Sequence, residues 1–234
     1  MLKPKKKITK KEMKQDTLVS TYAQMTSFYY ENKKYVSYAL TGLVAIIVIA
    51  VVIVNNRRAA DEKAATELGK VFTLFDAGTN DPRQYQAAID GQPERGIIGL
   101  KAIVENYGSS ESGELARFYL ANAYFNVGKI DDAQKQFEKF SGSDKLLNAS
   151  AYAGLAACYE AKKSYDKAAS YYEKAANTVS NTMNTPAYLH FAARCYALAG
   201  DKERAGALYK RLKKEYPASS YAREADRYIA QFSA

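Results

Sequence analysis

Three residues of this chain have side chains suited to covalent chemistry: the single histidine, His190, and the two cysteines, Cys158 and Cys195. A cysteine nucleophile needs a base such as histidine within hydrogen-bonding reach. His190 and Cys195 are five residues apart, whereas side chains that meet on a helix are three or four apart. We therefore expect His190 to be solvent-facing or hydrogen-bonded without a catalytic role, and the chain not to be an enzyme.

Sequence motifs for metals and nucleotides give the same expectation. No histidine or cysteine cluster has the spacing of a zinc site. Gly91 and Gly96 have the spacing of the two glycines in a phosphate-binding loop, but the Lys and Ser/Thr that should follow are missing. We expect no cofactor, no metal and no small-molecule substrate.

Cys158 and Cys195 occupy equivalent positions of a sequence repeat, each directly before a tyrosine. Equivalent positions in stacked helical units are separated by roughly 8–10 Å, the usual distance between packed helices. A disulfide needs Cα atoms within about 7 Å. We predict two buried, reduced thiols that behave as small apolar residues.

The elements that must position these residues form a repeat. Segments that begin at Leu120, Leu155 and Ala192 align, and their columns recur at steps of 35 and then 37 residues. In each segment a small residue is followed by Tyr three positions later, by Ala nine positions after that, and by an aromatic residue four further on. The repeat-defining residues are Ala121, Tyr124, Ala133, Phe137, Ala156, Tyr159, Ala168, Tyr172, Ala193, Tyr196, Ala205, Tyr209 and the terminating Pro217.

This pattern resembles the tetratricopeptide repeat, whose unit is two antiparallel helices in about 34 residues. The resemblance implies an all-α helical solenoid. Small residues let the two helices of a unit approach closely, and the aromatic residues fill the space between successive units. Gly128 and Gly200 follow the column tyrosine by four residues, where a left-handed helix end favours glycine. Lys163 takes that place in the middle unit, and we expect it to strain the turn.

The repeats organise the chain after residue 62. The predicted tetratricopeptide domain, residues 63–234, comprises a degenerate unit at 63–108 with a loop insert at 78–93, units at 114–147, 149–184 and 186–218, and a closing helix at 221–232. A short helix is expected within the insert at Arg83–Asp90. The closing helix would cover the apolar end that a solenoid otherwise exposes.

Residues 35–54 contain no Asp, Glu, Lys, Arg or His. As a helix, this run would span about 30 Å, the thickness of the hydrocarbon core of a bilayer. It is longer than the apolar region of a signal peptide, and no cysteine follows closely enough for a lipoprotein anchor. We predict an uncleaved transmembrane helix at 35–54, followed by a short stalk at 55–62.

The charges on either side of this run predict its orientation. Residues 1–58 carry eleven basic and three acidic residues, and the rest of the chain is nearly neutral. The positive-inside rule makes residues 1–34 a basic cytoplasmic head. We expect a single-pass protein of the bacterial inner (cytoplasmic) membrane with a periplasmic C-terminal domain. The near-neutral domain argues against binding of nucleic acid.

The head is expected to contact the membrane directly. Its lysines, between Lys3 and Lys34, favour the headgroups of anionic lipids. Leu18, Tyr22, Met25 and Tyr29 recur at helical spacing, which predicts an amphipathic segment lying on the membrane surface.

An outward tetratricopeptide domain on an N-terminal anchor is similar to the ancillary subunit of the bacterial Sec translocon, the YfgM-type family. That resemblance implies a role in meeting proteins that emerge from the translocon and passing them to periplasmic chaperones. The C-terminal segment LYKRLKKEYPASSYAREADRYIAQ also resembles periplasmic envelope scaffolds such as the Tol–Pal-associated coordinator of division. The alternative function is a scaffold subunit of an envelope or membrane-protein complex unrelated to secretion.

The first helix of each unit is expected to build a concave face that binds proteins. The residues expected there are Phe118, Asn122, Phe125, Asn126, Glu160, His190, Phe191 and Arg194. Phe118 and Phe125 either grip an extended or helical partner or pack against the degenerate unit, and the sequence leaves both open.

Tetratricopeptide modules that bind chaperone C-termini hold a carboxylate with Lys, Arg and Asn side chains. Asn122 fits that pattern, whereas Phe118, Gly154, Ala187 and Phe191 occupy the other positions. This departure argues against binding of a terminal carboxylate.

Overall fold

The structure is a computed structural model that describes the backbone of residues 10–233 and the side chains of residues 21–230. The chain divides into two compact units between Asn56 and Arg57. Residues 1–9 and the side chain of Leu18, which were predicted to contribute to membrane contact, lie outside the described part.

The first unit consists of helix α1, Lys10–Glu31, and the beginning of helix α2, Lys33–Ala77. The most apolar 18 residues of α2 have a mean hydropathy of 2.7, and none of them is buried. By length and composition, α2 is therefore able to cross a membrane. Residues 55–62, the predicted stalk, are continuous helix within α2.

The predicted amphipathic face of α1 is exposed. Tyr22, Met25 and Tyr29 are 71%, 68% and 45% exposed, respectively. Their contact with a membrane surface stays a prediction, which the exposure permits.

The second unit is a series of packed helix pairs. The pairs are α5 and α6 (Glu111–Asn126, Ile130–Lys139), α7 and α8 (Lys145–Ala161, Tyr165–Thr178), and α9 and α10 (Thr185–Ala199, Lys202–Glu215). Helix α11, Ser220–Ser233, packs on α10 and α9. Because the links within each pair are only a few residues long, the two helices of a pair run antiparallel.

The repeat columns form the core of these pairs. All six column alanines are completely buried: Ala121, Ala133, Ala156, Ala168, Ala193 and Ala205. The aromatic column is also buried, with Phe137, Tyr172 and Tyr209 at most 6% exposed. A Cβ added to Gly154 on α7 would lie 2.3 Å from the Phe137 ring of α6. The column aromatic therefore packs directly against the backbone of the next pair, as the repeat pattern predicted.

The part of α2 after Arg57 packs against α5. Leu68 and Val71 join a buried cluster with Leu120, and the rings of Phe75 and Tyr119 lie 4.9 Å apart. Helix α4, Leu100–Tyr107, belongs to the same cluster through Leu100 and Ile103. Both α2 and α4 thus contribute to the cluster on which α5 packs, and their assignment as a degenerate first helix pair stays a prediction.

The insert predicted at 78–93 departs from the expected loop only at its end, where a short strand begins. Helix α3 occupies Arg83–Asp90, where the short helix was predicted, and strands β1, Gly91–Gln92, and β2, Ile97–Ile98, form an antiparallel hairpin around a 3₁₀ turn. Burial explains this order, because Tyr85, Ala88 and Ile89 of α3 enter the same cluster as Leu68. Gly91 ends α3 and Gly96 ends the 3₁₀ turn, and both have positive φ.

Helix α11 closes the solenoid. Its Ala222 and Ala225 are buried, while Tyr221, Tyr228 and Ile229 pack on the last pair. The opposite side of α11 is exposed and charged, with Arg223, Glu224, Asp226 and Arg227. An outer polar face of this kind ends the stacking of helix pairs.

The three turns within the pairs share one conformation. Gly128, Lys163 and Gly200 have φ values of 77°, 60° and 91°. In each turn the next residue donates its N–H to the carbonyl of the column tyrosine, at 2.8 to 2.9 Å. The predicted left-handed turns are confirmed, and Lys163 is held in a conformation that disfavours a side chain.

Replacing the turn residues should change the free energy of unfolding with opposite signs. Lys163→Gly should stabilise the protein by about 0.5–1 kcal/mol, because relief of left-handed strain exceeds the entropic cost of glycine. Gly200→Ala should destabilise it by about 1 kcal/mol, since the added Cβ meets no atom within 4 Å and only the backbone is strained. Urea unfolding of the full-length chain in detergent micelles measures both.

Gly206→Ala is the matched control. Gly206 lies inside α10 with open space around its Cβ position, so alanine there should stabilise the helix by roughly 0.5–1 kcal/mol. A neutral or stabilising Gly200→Ala would contradict the assigned turn conformation.

Candidate protein-binding surface

The asparagines predicted for the concave face lie one turn apart on α5. The Asn122 Nδ2 donates to the Phe118 carbonyl at 2.8 Å, and the Asn126 Nδ2 donates to the Asn122 carbonyl at 2.9 Å. These bonds fix both amides along the helix. Neither side-chain oxygen accepts a hydrogen bond from the described residues, so both can accept one from a partner's backbone.

Glu160 and Arg194 connect the first helices of two neighbouring pairs. The Arg194 Nη2 donates to the Glu160 Oε1, and the Tyr172 hydroxyl donates to the Glu160 Oε2 at 3.3 Å. The Arg194 side chain remains 43% exposed. Because exposed ion pairs contribute little to stability, Arg194 can exchange Glu160 for a partner's carboxylate at small cost.

Phe118 and Phe125 pack against other residues of the domain. Phe118 packs on Phe137 and Phe140 of its own helix pair, with ring centroids 6.1 and 5.8 Å apart. Phe125 is half-buried in the same cluster. Phe118 therefore packs inside its own pair, which is neither of the two roles left open by the sequence.

His190 is buried beneath the closing helix. It is 8% exposed, and its ring is 4.9 Å from Tyr221 and 5.8 Å from Tyr228, both on α11. Burial, followed by the nearby positive charge of Arg194, lowers the pKa of His190 below its ordinary value of 6.5. The prediction that His190 lines an open face does not match this burial, because α11 covers α9 at this position.

Phe191 is covered in a similar way. Its ring packs against Tyr172 at 5.4 Å and against Tyr221 of α11 at 6.1 Å. The polar residues of the predicted face that are at least partly exposed are Asn122, Asn126, Glu160 and Arg194.

Leu198 was not among the residues that the sequence predicted for the protein-binding face. It lies four residues after Arg194 on α9, hence on the same helix face, and is 55% exposed. Its spacing of four residues from Arg194 could have predicted its place on this face. Leu198 adds an exposed apolar side chain to the polar groups of this surface.

The two cysteines are not paired with each other, as predicted. Cys158 and Cys195 are both free and completely buried. Burial raises the pKa of each thiol to about 12. Within the part of the chain with described side chains, no three His, Cys, Asp or Glu residues are arranged to hold a metal ion.

The two thiols should resist alkylation in the folded protein. At pH 8 the native chain in mild detergent should gain no mass from iodoacetamide, because the thiols are inaccessible and almost fully protonated. After unfolding in urea without reductant it should gain two carbamidomethyl groups. A Ser170→Cys variant, with the new thiol on the exposed side of α8, is the positive control. Native labelling of Cys158 or Cys195 at the rate of that control would contradict the structure.

Comparisons with known proteins agree with this architecture. The tetratricopeptide-repeat family matches residues 119–181 and again residues 192–219. Two crystal structures of nearly identical TPR-like repeats from a Podosopora anserina putative kinesin light chain, one of them a point variant, resemble the chain with TM-scores of 0.53 and 0.52. Both are 16% identical to it and cover 70% of this chain, which covers 84% and 85% of theirs. No protein with a curated description matches.

At 16% identity the structural likeness shows the fold alone. The two family matches, however, fall on the helix pairs whose columns are buried here. A tetratricopeptide fold is typical of non-enzymatic scaffolds that bind other proteins. The fold is therefore TPR-like, and residues 119–181 and 192–219 are similar to tetratricopeptide repeats.

Proposed function

We propose that this protein is a membrane-anchored protein-binding module that meets translocated or envelope proteins at the Sec translocon and hands them to chaperones. Its repeat domain would lie on the periplasmic side of the bacterial inner membrane. The observation that carries the proposal is an uncovered apolar helix in the same chain as a protein-binding fold.

The need for an anchor follows from the exposure of α2. Eleven large apolar residues between Leu40 and Val54 are 47–66% exposed. Burying one such side chain contributes about 1.5–3 kcal/mol, so leaving eleven partly in water costs on the order of 10 kcal/mol. That is comparable to the whole stability of a typical domain. A lipid bilayer covers such a helix completely, which supports an integral anchor.

The orientation is supported by charge. Nine lysines precede residue 35, whereas only Arg57 and Arg58 directly follow the apolar run. Cytoplasmic flanks carry the excess of Lys and Arg, which favours a cytoplasmic N-terminus and a periplasmic repeat domain. The same lysines favour contact with anionic lipid headgroups.

The accessible surface supports binding of protein segments. Asn122 and Asn126 offer free amide oxygens, Arg194 offers an exchangeable guanidinium, and Leu198 offers apolar contact. Such a mixture can hold the backbone and mixed side chains of an extended segment. Three cavities of the second unit, with volumes of 240, 320 and 420 Å³, include neither His190 nor the cysteines, which gives no support to covalent catalysis.

Crosslinking in native bacterial membranes, followed by mass spectrometry, tests the proposal. The wild-type chain should be crosslinked to Sec components and periplasmic chaperones. Arg194→Ala should reduce crosslinks to client proteins by at least about threefold, because it removes the exchangeable cation from the surface.

Arg204→Ala is the control for this experiment. Arg204 is also exposed and ion-paired, with Asp201, but it lies on α10. It should leave client crosslinks unchanged. Absence of Sec components and chaperones from the wild-type crosslinks would contradict the proposal. A stable stoichiometric envelope complex would instead indicate the scaffold function.

A further inference from the structure

Part of the contact that holds the closing helix α11 is a cluster of aromatic rings around one histidine. Tyr221 and Tyr228 of α11 and Tyr209 of α10 surround the His190 ring at centroid distances of 4.9, 5.8 and 5.8 Å. The rings of Tyr209 and Tyr228 also stack on each other at 4.8 Å. His190 thus lies at the junction of α9, α10 and α11.

This site suits a neutral imidazole. The hydrogen bond of the His190 Nδ1 is with the Tyr209 hydroxyl at 3.5 Å, which is long for such a bond. No carboxylate forms an ion pair with His190 among the residues with described side chains. A charge on the ring would therefore be buried without a close counter-ion, which is costly.

The charged groups around His190 lie on α9 and α11. Arg194 on α9 opposes protonation, and Glu224 on α11 favours it. Arg227 on α11 stacks over Tyr228, 4.9 Å from its ring centroid. The tyrosine faces could partly compensate an imidazolium through cation–π attraction. Burial and Arg194 outweigh Glu224, so the pKa of His190 is lowered in the closed domain.

We propose that His190 makes α11 a pH-sensitive latch, which is closed while the imidazole is neutral and opens when mild acid protonates it. Opening separates α11 from α9 and α10 and uncovers the aromatic surface formed by His190, Phe191 and Tyr209. This regulation is independent of the identity of any client, because it depends on contacts within the domain alone.

The direction of the pH effect follows from proton linkage. In the open form His190 is solvated, and its pKa returns toward 6.5. The open form therefore binds more protons than the closed form as the pH falls below about 6.5, and the equilibrium shifts toward opening. Above that pH both forms are neutral at His190, and the latch keeps its full stability.

Hydrogen exchange followed by mass spectrometry tests the latch on the full-length chain in detergent micelles. After correction for intrinsic exchange rates, amides of residues 222–230 should open at least about threefold more at pH 5.5 than at pH 7.5. Amides of residues 205–212 in α10 should show no such change. His190→Phe, which keeps an aromatic ring but cannot titrate, should abolish the pH dependence.

A control variant distinguishes the effect of protonating His190 from the effect of protonating the acidic groups of α11. Asp226 of α11 is paired with Lys213 of α10, so Asp226→Asn weakens the same contact without touching His190. This variant should open more at both pH values but keep the wild-type ratio between them.

The wild-type protein supplies a second test that needs no variant. Because His190 is the only histidine, its NMR titration can be assigned without ambiguity in a chain lacking a histidine tag. Its pKa should lie below 6.5, and α11 should open over the same pH range. A pKa at or above 6.5, an unchanged pH ratio in His190→Phe, or joint opening of α10 and α11 would each overturn the proposal.

Discussion

The close approach of paired helices at buried alanines is the contact on which the rest of this domain depends. At each crossing the side chain is a single methyl group with no exposed surface, as at Ala121 and Ala133. A larger residue there would force the helices apart, and overpacking of a core typically costs about 1–3 kcal/mol. The buried aromatic of each pair then reaches the next pair, as Phe137 does at Gly154.

This packing explains where the proposed protein-binding groups can lie. The alanine and aromatic columns take up the inner faces of the helices, so the outward positions of the first helices are released from core packing. Asn122, Asn126 and Arg194 occupy such positions and carry polar groups that a core could not accept. At the last pair, α11 takes the place of a further repeat, buries His190 and partly covers Phe191.

Features set by local spacing could be predicted from the sequence, and features set by distant segments could not. The buried columns and the left-handed turn at Lys163 depend on residues within one helix pair. The burial of His190 depends on Tyr221 and Tyr228, which lie 31 and 38 residues later. The hairpin that begins at the end of the insert was missed because glycine and proline mark tight turns and irregular loops alike.

The central claim is that an apolar helix holds a protein-binding solenoid on the opposite side of a membrane from the lysine-rich N-terminus. Labelling of introduced cysteines with a membrane-impermeant maleimide in intact bacterial spheroplasts tests it most directly, since both native cysteines are buried. Ser170→Cys, on the repeat domain, should be labelled at once, and Gln24→Cys, on α1, only after lysis. The reverse pattern, or labelling of both only after lysis, would contradict the claim.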